Sequence, residues 1–177
     1  MHLFESALRD FMYVERHSAW SSVTLDNVMP RDIDEAARDR PTVEWAGDVD
    51  KLIAVLARHR PGLTVIPVKT GPTGVLVVLG MDPANTALRG RYQEILDEWV
   101  VPDPQQVPVE NLERAGAVEP EALLASPVWA EIVRGRRCGL SGADDRTTAG
   151  RSVPSGPWSR ADRRRTLPSS RATALGA

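Results

Sequence analysis

The sequence predicts an α/β or α+β fold: a single small domain with a mixed sheet of about four short strands flanked by helices, followed by a disordered C-terminal tail. Three observations predict it. Apolar residues recur at helical spacing near residues 2–17, 48–59 and 83–98, whereas 22–28, 63–68 and 75–79 are short β-branched runs. Pro, Gly, Asn and Asp punctuate the joints between these segments. Composition then changes at residue 134, after which ten arginines stand against three aspartates, with no lysine or glutamate.

The elements follow in order. Residues 2–17 place Leu3, Phe4, Ala7, Leu8, Phe11 and Val14 on one face, the spacing of an amphipathic helix. Residues 22–28 read as a short strand that stops at Met29-Pro30, and 31–47 as a polar, acidic loop with a turn of helix. Asp48 is suited to cap a helix running through His59, whose stripe is Val49, Leu52, Ile53 and Leu56; Arg60-Pro61-Gly62 ends it. Strands at 63–68 and 75–79 are joined by Lys69-Thr70-Gly71-Pro72-Thr73-Gly74, and the second, VLVVL, is apolar on both faces and belongs inside a sheet. Asp82 as cap and Pro83 at the first helical position start a helix to about Glu98. Trp99-Val100-Val101 is expected as a fourth strand closed by Pro102, with small helices at 109–115 and 120–133, the latter re-initiated or kinked at Ser126-Pro127. The body is thus 1–133 and the tail 134–177, whose Ser, Gly, Pro and Thr cannot bury enough surface to offset ordering entropy.

Composition narrows the function classes. No run approaches the ~18 apolar residues of a membrane helix, and MHLFESALRD carries Glu5 and Asp10 where a signal peptide would be apolar. The chain is expected to be cytoplasmic and without a membrane partner. A single cysteine, Cys138, excludes an internal disulfide and a cysteine-only metal site. His2, His17 and His59 are scattered without metal-ligand spacing, so no metal is expected. The net charge of −2 divides into a body of −9 and a tail of +7.

Two glycine-bearing turns are candidate anion sites. The turn 69–74 leads into a strand and lacks the P-loop pattern, so it reads as a hairpin. Gly80-Met81-Asp82-Pro83-Ala84-Asn85 follows a buried strand and precedes a helix, where free amides and the helix dipole favour anions; Asp82 acting as the cap would occupy those amides itself. The candidate nucleotide- or anion-binding residues are Lys69, Gly80, Asp82, Asn85 and Arg89. In the tail, Arg134, Arg136, Arg137 and the run Arg163-Arg164-Arg165 are candidate contacts to nucleic-acid phosphates. The acidic stretch Asp32, Asp34, Glu35, Asp39, Glu44, Asp48 and Asp50 could hold a cation or face a basic partner, and most such stretches are solvated faces.

Three segments carry a family likeness: the strand Val23-Thr24-Leu25-Asp26-Asn27-Val28-Met29-Pro30, the helix 49–59 with Pro61-Gly62-Leu63-Thr64-Val65-Ile66-Pro67-Val68, and the strand 75–79, Gly80, helix and Trp99-Val100-Val101-Pro102. Across residues 22–103 they resemble the N-terminal domain of ParB-like chromosome-partitioning proteins, a fold shared with sulfiredoxin. The resemblance implies nucleotide or nucleic-acid association at the segment after Gly80. At the place of the family's arginine-bearing G-x-x-R-x-x-A signature, this chain reads Gly80-Met81-Asp82-Pro83-Ala84-Asn85-Thr86-Ala87, without the arginine.

The leading functional expectation is a non-catalytic binding or regulatory domain, taking a nucleotide with magnesium, or a nucleic acid, near residues 80–89. A second is an interaction or adaptor module, or a homodimer, docking through the apolar face of helix 2–17, with 32–50 setting specificity. A third is a hydrolase using Asp26 or Asp48.

Overall fold

The computed structural model describes residues 2–18, 22–41 and 43–140, with side chains described through residue 134. The chain divides into two units, Met1–Gly142 and Ala143–Ala177, and every described residue belongs to the first. Helix α1 spans Phe4–His17 and strand β1 Ser22–Asp26; a 3-10 turn, Gly47–Asp50, leads into α2, Lys51–His59. Strands β2, Thr64–Val68, and β3, Val75–Leu79, form a hairpin. Short helices complete the unit: α3 Ala87–Gly90, α4 Tyr92–Trp99, α5 Val109–Leu112, α6 Pro120–Leu124 and α7 Pro127–Leu140.

The sheet is three-stranded and antiparallel, in the order β1-β3-β2. Its centre is the strand that sequence pattern places there. Val78 pairs with both Val23 and Val65, and Leu76 with both Leu25 and Pro67, so these residues share one face. On that face they meet Phe4, Leu8 and Phe11 of α1 and Leu52, Val55 and Leu56 of α2. The opposite face, with Ile66, Val68 and Val77, is covered by Leu123 of α6 and by Val128, Trp129 and Ile132 of α7. Both faces of β3 are therefore dry, which is why its sequence shows no alternation. Proline is tolerated in β2 because its place is on the edge side: the Pro67 carbonyl accepts the Val118 N–H at 2.9 Å, away from β3.

Two glycines are dictated by geometry. Gly47 has φ +64°, and a Cβ there would lie 1.5 Å from the His2 carbonyl oxygen. Gly74, at φ +63° in the hairpin turn, leaves no room for a Cβ beside the Met29 side chain, whose Cε would be 2.1 Å away.

The structure corrects the sequence reading in four places. The sheet has three strands, not four: α4 runs through Trp99, and the Val100 N–H closes it on Leu96 at 2.9 Å. What stands beside β2 instead is a single parallel bridge from Val68 to Val118. The helix expected from Pro83 starts only at Ala87, because Asp82 accepts from Ala84 N at 2.9 Å and Asn85 from Ala87 N at 3.0 Å, and it is interrupted between Gly90 and Tyr92. Such local side-chain bonds offer the backbone an alternative to the helix. At the other end of the body, α7 continues through Leu140, past the boundary expected at 133; residues 141–177, where most of the expected tail falls, lie outside the described residues. Finally, the apolar face of α1 does not offer a docking surface, since Phe4, Leu8 and Phe11 are fully enclosed in the monomer's own core. Among the described residues no helix is long and apolar enough to cross a membrane.

Leu8→Ala should therefore lower monomer stability by about 2–5 kcal/mol, read as a fall in urea midpoint, and Leu8→Asp should abolish the fold rather than merely separate copies.

Candidate functional site

The most connected polar group is Asp48, fully buried on the 3-10 turn. It does not cap its own helix. Its Oδ1 accepts the Phe4 N–H at 2.8 Å, so it caps α1 from 44 residues away. Its Oδ2 accepts from Arg38 Nη1 at 2.7 Å and Lys51 Nζ at 2.9 Å. Arg38 also holds Glu5 with Nη2 at 2.6 Å, and this bond above all draws the Glu5 carboxyl below its ordinary range. Lys51 Nζ further donates to the Trp99 carbonyl at 2.9 Å and to the Gln105 side chain. Gln105 Nε2 reaches Asp103 at 2.8 Å, and Asp103 accepts the Arg38 N–H at 3.1 Å, which closes a ring. Every charge here has a partner, and the arrangement is that of a structural junction.

Around Gly80 the structure places an internal carboxylate where the sequence reading placed an external anion. The Asp82 N–H donates to Glu15 Oε1 at 3.3 Å, and Glu15 Oε2 is ion-paired with Arg60. Both are buried, with side chains 5% and 6% exposed. Asp82 is exposed, and its carboxylate accepts from Ala84 N in its own turn. Asn85 is occupied likewise by Ala87 N. Arg89 is exposed on α3 and forms no ion pair among the described residues.

Lys69 is not brought to this group. It follows β2 at the hairpin end, where Val68 faces Val75, while Gly80 follows Leu79 at the other end. The length of β3 separates them, roughly 14 Å at ~3.4 Å per residue. Lys69 instead pairs with Glu119 at 3.1 Å. The hairpin turn points carbonyls, not amides, at its neighbour: Arg114 donates to Thr70 and Met29 carbonyls at 3.3 Å and to that of Pro72. That is the reverse of a phosphate cradle and agrees with a plain turn.

A basic group that sequence reasoning missed lies at the end of α2. His59 Nδ1 and Arg91 Nη1 are 3.4 Å apart, joining segments 32 residues distant. Burial first, then Arg91 and Arg58, lower the His59 pKa. Its Nε2 is enclosed without a hydrogen-bond partner. Arg58 and Arg91 are half exposed and held by Glu98 and Glu94 respectively. Arg89 lies two residues before Arg91 in the chain, on α3. One sequence signal was available: His59 and Arg58 close the last turn of an amphipathic helix, where basic side chains favour the dipole.

The remaining candidates are dispersed. Asp26 is exposed and binds the adjacent Asn27 N–H at 2.8 Å. Of the acidic stretch, Glu35, Asp48 and Asp50 are buried, and Glu35 takes the Arg31 N–H at 2.7 Å. No group of three metal-ligating residues forms among the described residues. Arg134 is exposed on α7; Arg136 and Arg137 lie on its last turns, beyond the described side chains, and Arg163–165 and the bulk of the tail lie outside the described residues. Compared with protein-family models, curated proteins and solved structures, the chain matches none.

Asp48→Ala should cost about 3–5 kcal/mol in a urea unfolding measurement, since it strands Arg38 and Lys51 together with the first α1 amide. Asp82→Ala, which removes an exposed carboxylate that accepts from its own turn, should cost under about 1 kcal/mol.

Proposed function

We propose that the body is a non-catalytic binding domain that takes a phosphate-bearing ligand, a magnesium nucleotide or a nucleic acid, on the surface formed by the end of α2 and residues 80–91. The observation that carries this reading is the His59–Arg91 contact with Arg58 beside it, which brings two guanidiniums, paired with Glu94 and Glu98, to one imidazole on a body of net charge −9. Burial first, and then the neighbouring Arg91 and Arg58, lower the His59 pKa, and an anion seated there would offset the repulsion from the two guanidiniums. Arg89, which forms no ion pair among the described residues, adds a guanidinium able to grip a phosphate in two-pronged fashion. The resemblance of residues 22–103 to ParB-like domains supports the same segment as the place for nucleotide phosphates. Tail arginines would add salt-sensitive affinity for nucleic acid without setting the site.

The test is a low-salt titration of the full chain with magnesium nucleoside triphosphates and short DNA. Arg89→Ala and Arg91→Ala should each raise Kd about tenfold, the scale of a lost charge-assisted bond. Lys69→Ala, at the far end of the hairpin, should leave it unchanged. His59 ring signals should shift on binding. Failure of every ligand to bind, or equal binding by the Arg89→Ala/Arg91→Ala double variant, overturns the assignment; in the second case the tail is the binding element.

A further inference from the structure

Asp50 is the buried carboxyl that lacks a cation. It is 2% exposed and sits where the 3-10 turn passes into α2. Asp48, two residues earlier, has both Arg38 and Lys51. Asp50 accepts instead from a neutral group, Asn111 Nδ2 at 3.2 Å, and forms no ion pair among the described residues. Asn111 belongs to α5, a single turn with no buried residue, whose Val109 is 61% exposed. Little apolar contact therefore holds α5 down. The chain on either side is anchored: Gln105 is tied to Lys51, and Arg114 to the hairpin carbonyls. A loosely packed segment, anchored on both sides, thus supplies the hydrogen-bond donor to a buried carboxyl.

We propose that residues 106–113 are a pH-gated strap, closed over Asp50 while that carboxyl is protonated and opened when it ionises. Burial is the first cause that raises the Asp50 pKa to about 6 from the ordinary 3.8. The Asn111 bond, Lys51 and the Lys51 amide act in the opposite sense, and Asp48 adds to the rise. The strap's two charged groups, Glu110 and Glu113, are exposed and Asn111 is neutral, while Arg38 and Glu5 engage Asp48 and each other. An open strap puts Asp50 in water, where it ionises near its ordinary value. The closed form is thus favoured most fully below the open-state pKa, and that advantage is lost as pH rises through about 6. Between pH 5 and 7.5 the ratio of open to closed strap rises about tenfold.

Hydrogen exchange of the full chain, corrected for intrinsic rates, tests this. Protection of 106–113 should fall about tenfold from pH 5 to 7.5 while α2 is unaffected. Asp50→Asn keeps an acceptor for Asn111 and should show equal protection at both values. Should that variant fail to fold, carboxyl ¹³C titration of Asp50 in the unaltered chain should follow strap opening, with a midpoint near 6. Protection that does not vary with pH, a pH dependence that survives Asp50→Asn, or a carboxyl midpoint near the ordinary value overturns the proposal.

Discussion

One buried carboxylate holds the described unit together. Asp48 joins the first amide of α1, the 31–47 loop through Arg38 and the start of α2 through Lys51, and Lys51 in turn holds the chain leaving α4. Four separate stretches of chain thus meet at one group. A buried ion pair contributes little net stability against an apolar replacement, yet losing one partner is costly. Its effect is therefore on arrangement: with Asp48 in place, α1 has one position in which its first N–H is satisfied. Gly47 belongs to the same constraint, because the close approach of His2 that brings Phe4 to Asp48 leaves no space for a side chain.

Around that junction the apolar parts are small and depend on one another. Three five-residue strands are near the lower limit for an independent sheet. Stability comes from covering both faces, with α1 and α2 on one and α6 and α7 on the other. The helices are equally dependent, since most are too short to persist alone. The outer faces of β2 and β3 are covered by segments that follow them in sequence, which places the C-terminal part of the described unit within the fold and not beside it.

Hydrophobic period made the hairpin, the central strand, α1 and α2 legible, because each pattern repeats within a dozen residues. What it could not reach were polar contacts between distant segments. Asp48 resembles a local cap and serves a helix 44 residues away. The 83–98 pattern resembles one helix, but Asp82 and Asn85 each bond their own backbone two residues on and delay its start. Lys69 and Gly80 look close in sequence, and only antiparallel pairing reveals that they lie at opposite ends of a strand. One clue was present in the pattern. Glu15 continues the stripe Phe4, Leu8 and Phe11, and a charge in an apolar stripe requires a buried partner, which is Arg60.

Glu15 also limits how this molecule could recognise an anion. The amide at Asp82, placed after a central strand where free N–H groups commonly collect phosphates, already receives an internal carboxylate, itself neutralised by Arg60. The Phe4 amide is answered in the same manner by Asp48. Backbone donors at these two points are thus filled by the protein's own acids. Under the reading proposed above, recognition falls to guanidinium groups at Arg89 and Arg91 and to the His59 ring. Both guanidiniums are exposed, and Arg91 is shared with Glu94. An incoming phosphate must then compete with a carboxylate and with salt, so affinity would be set by charge and ionic strength more than by a rigid backbone cradle.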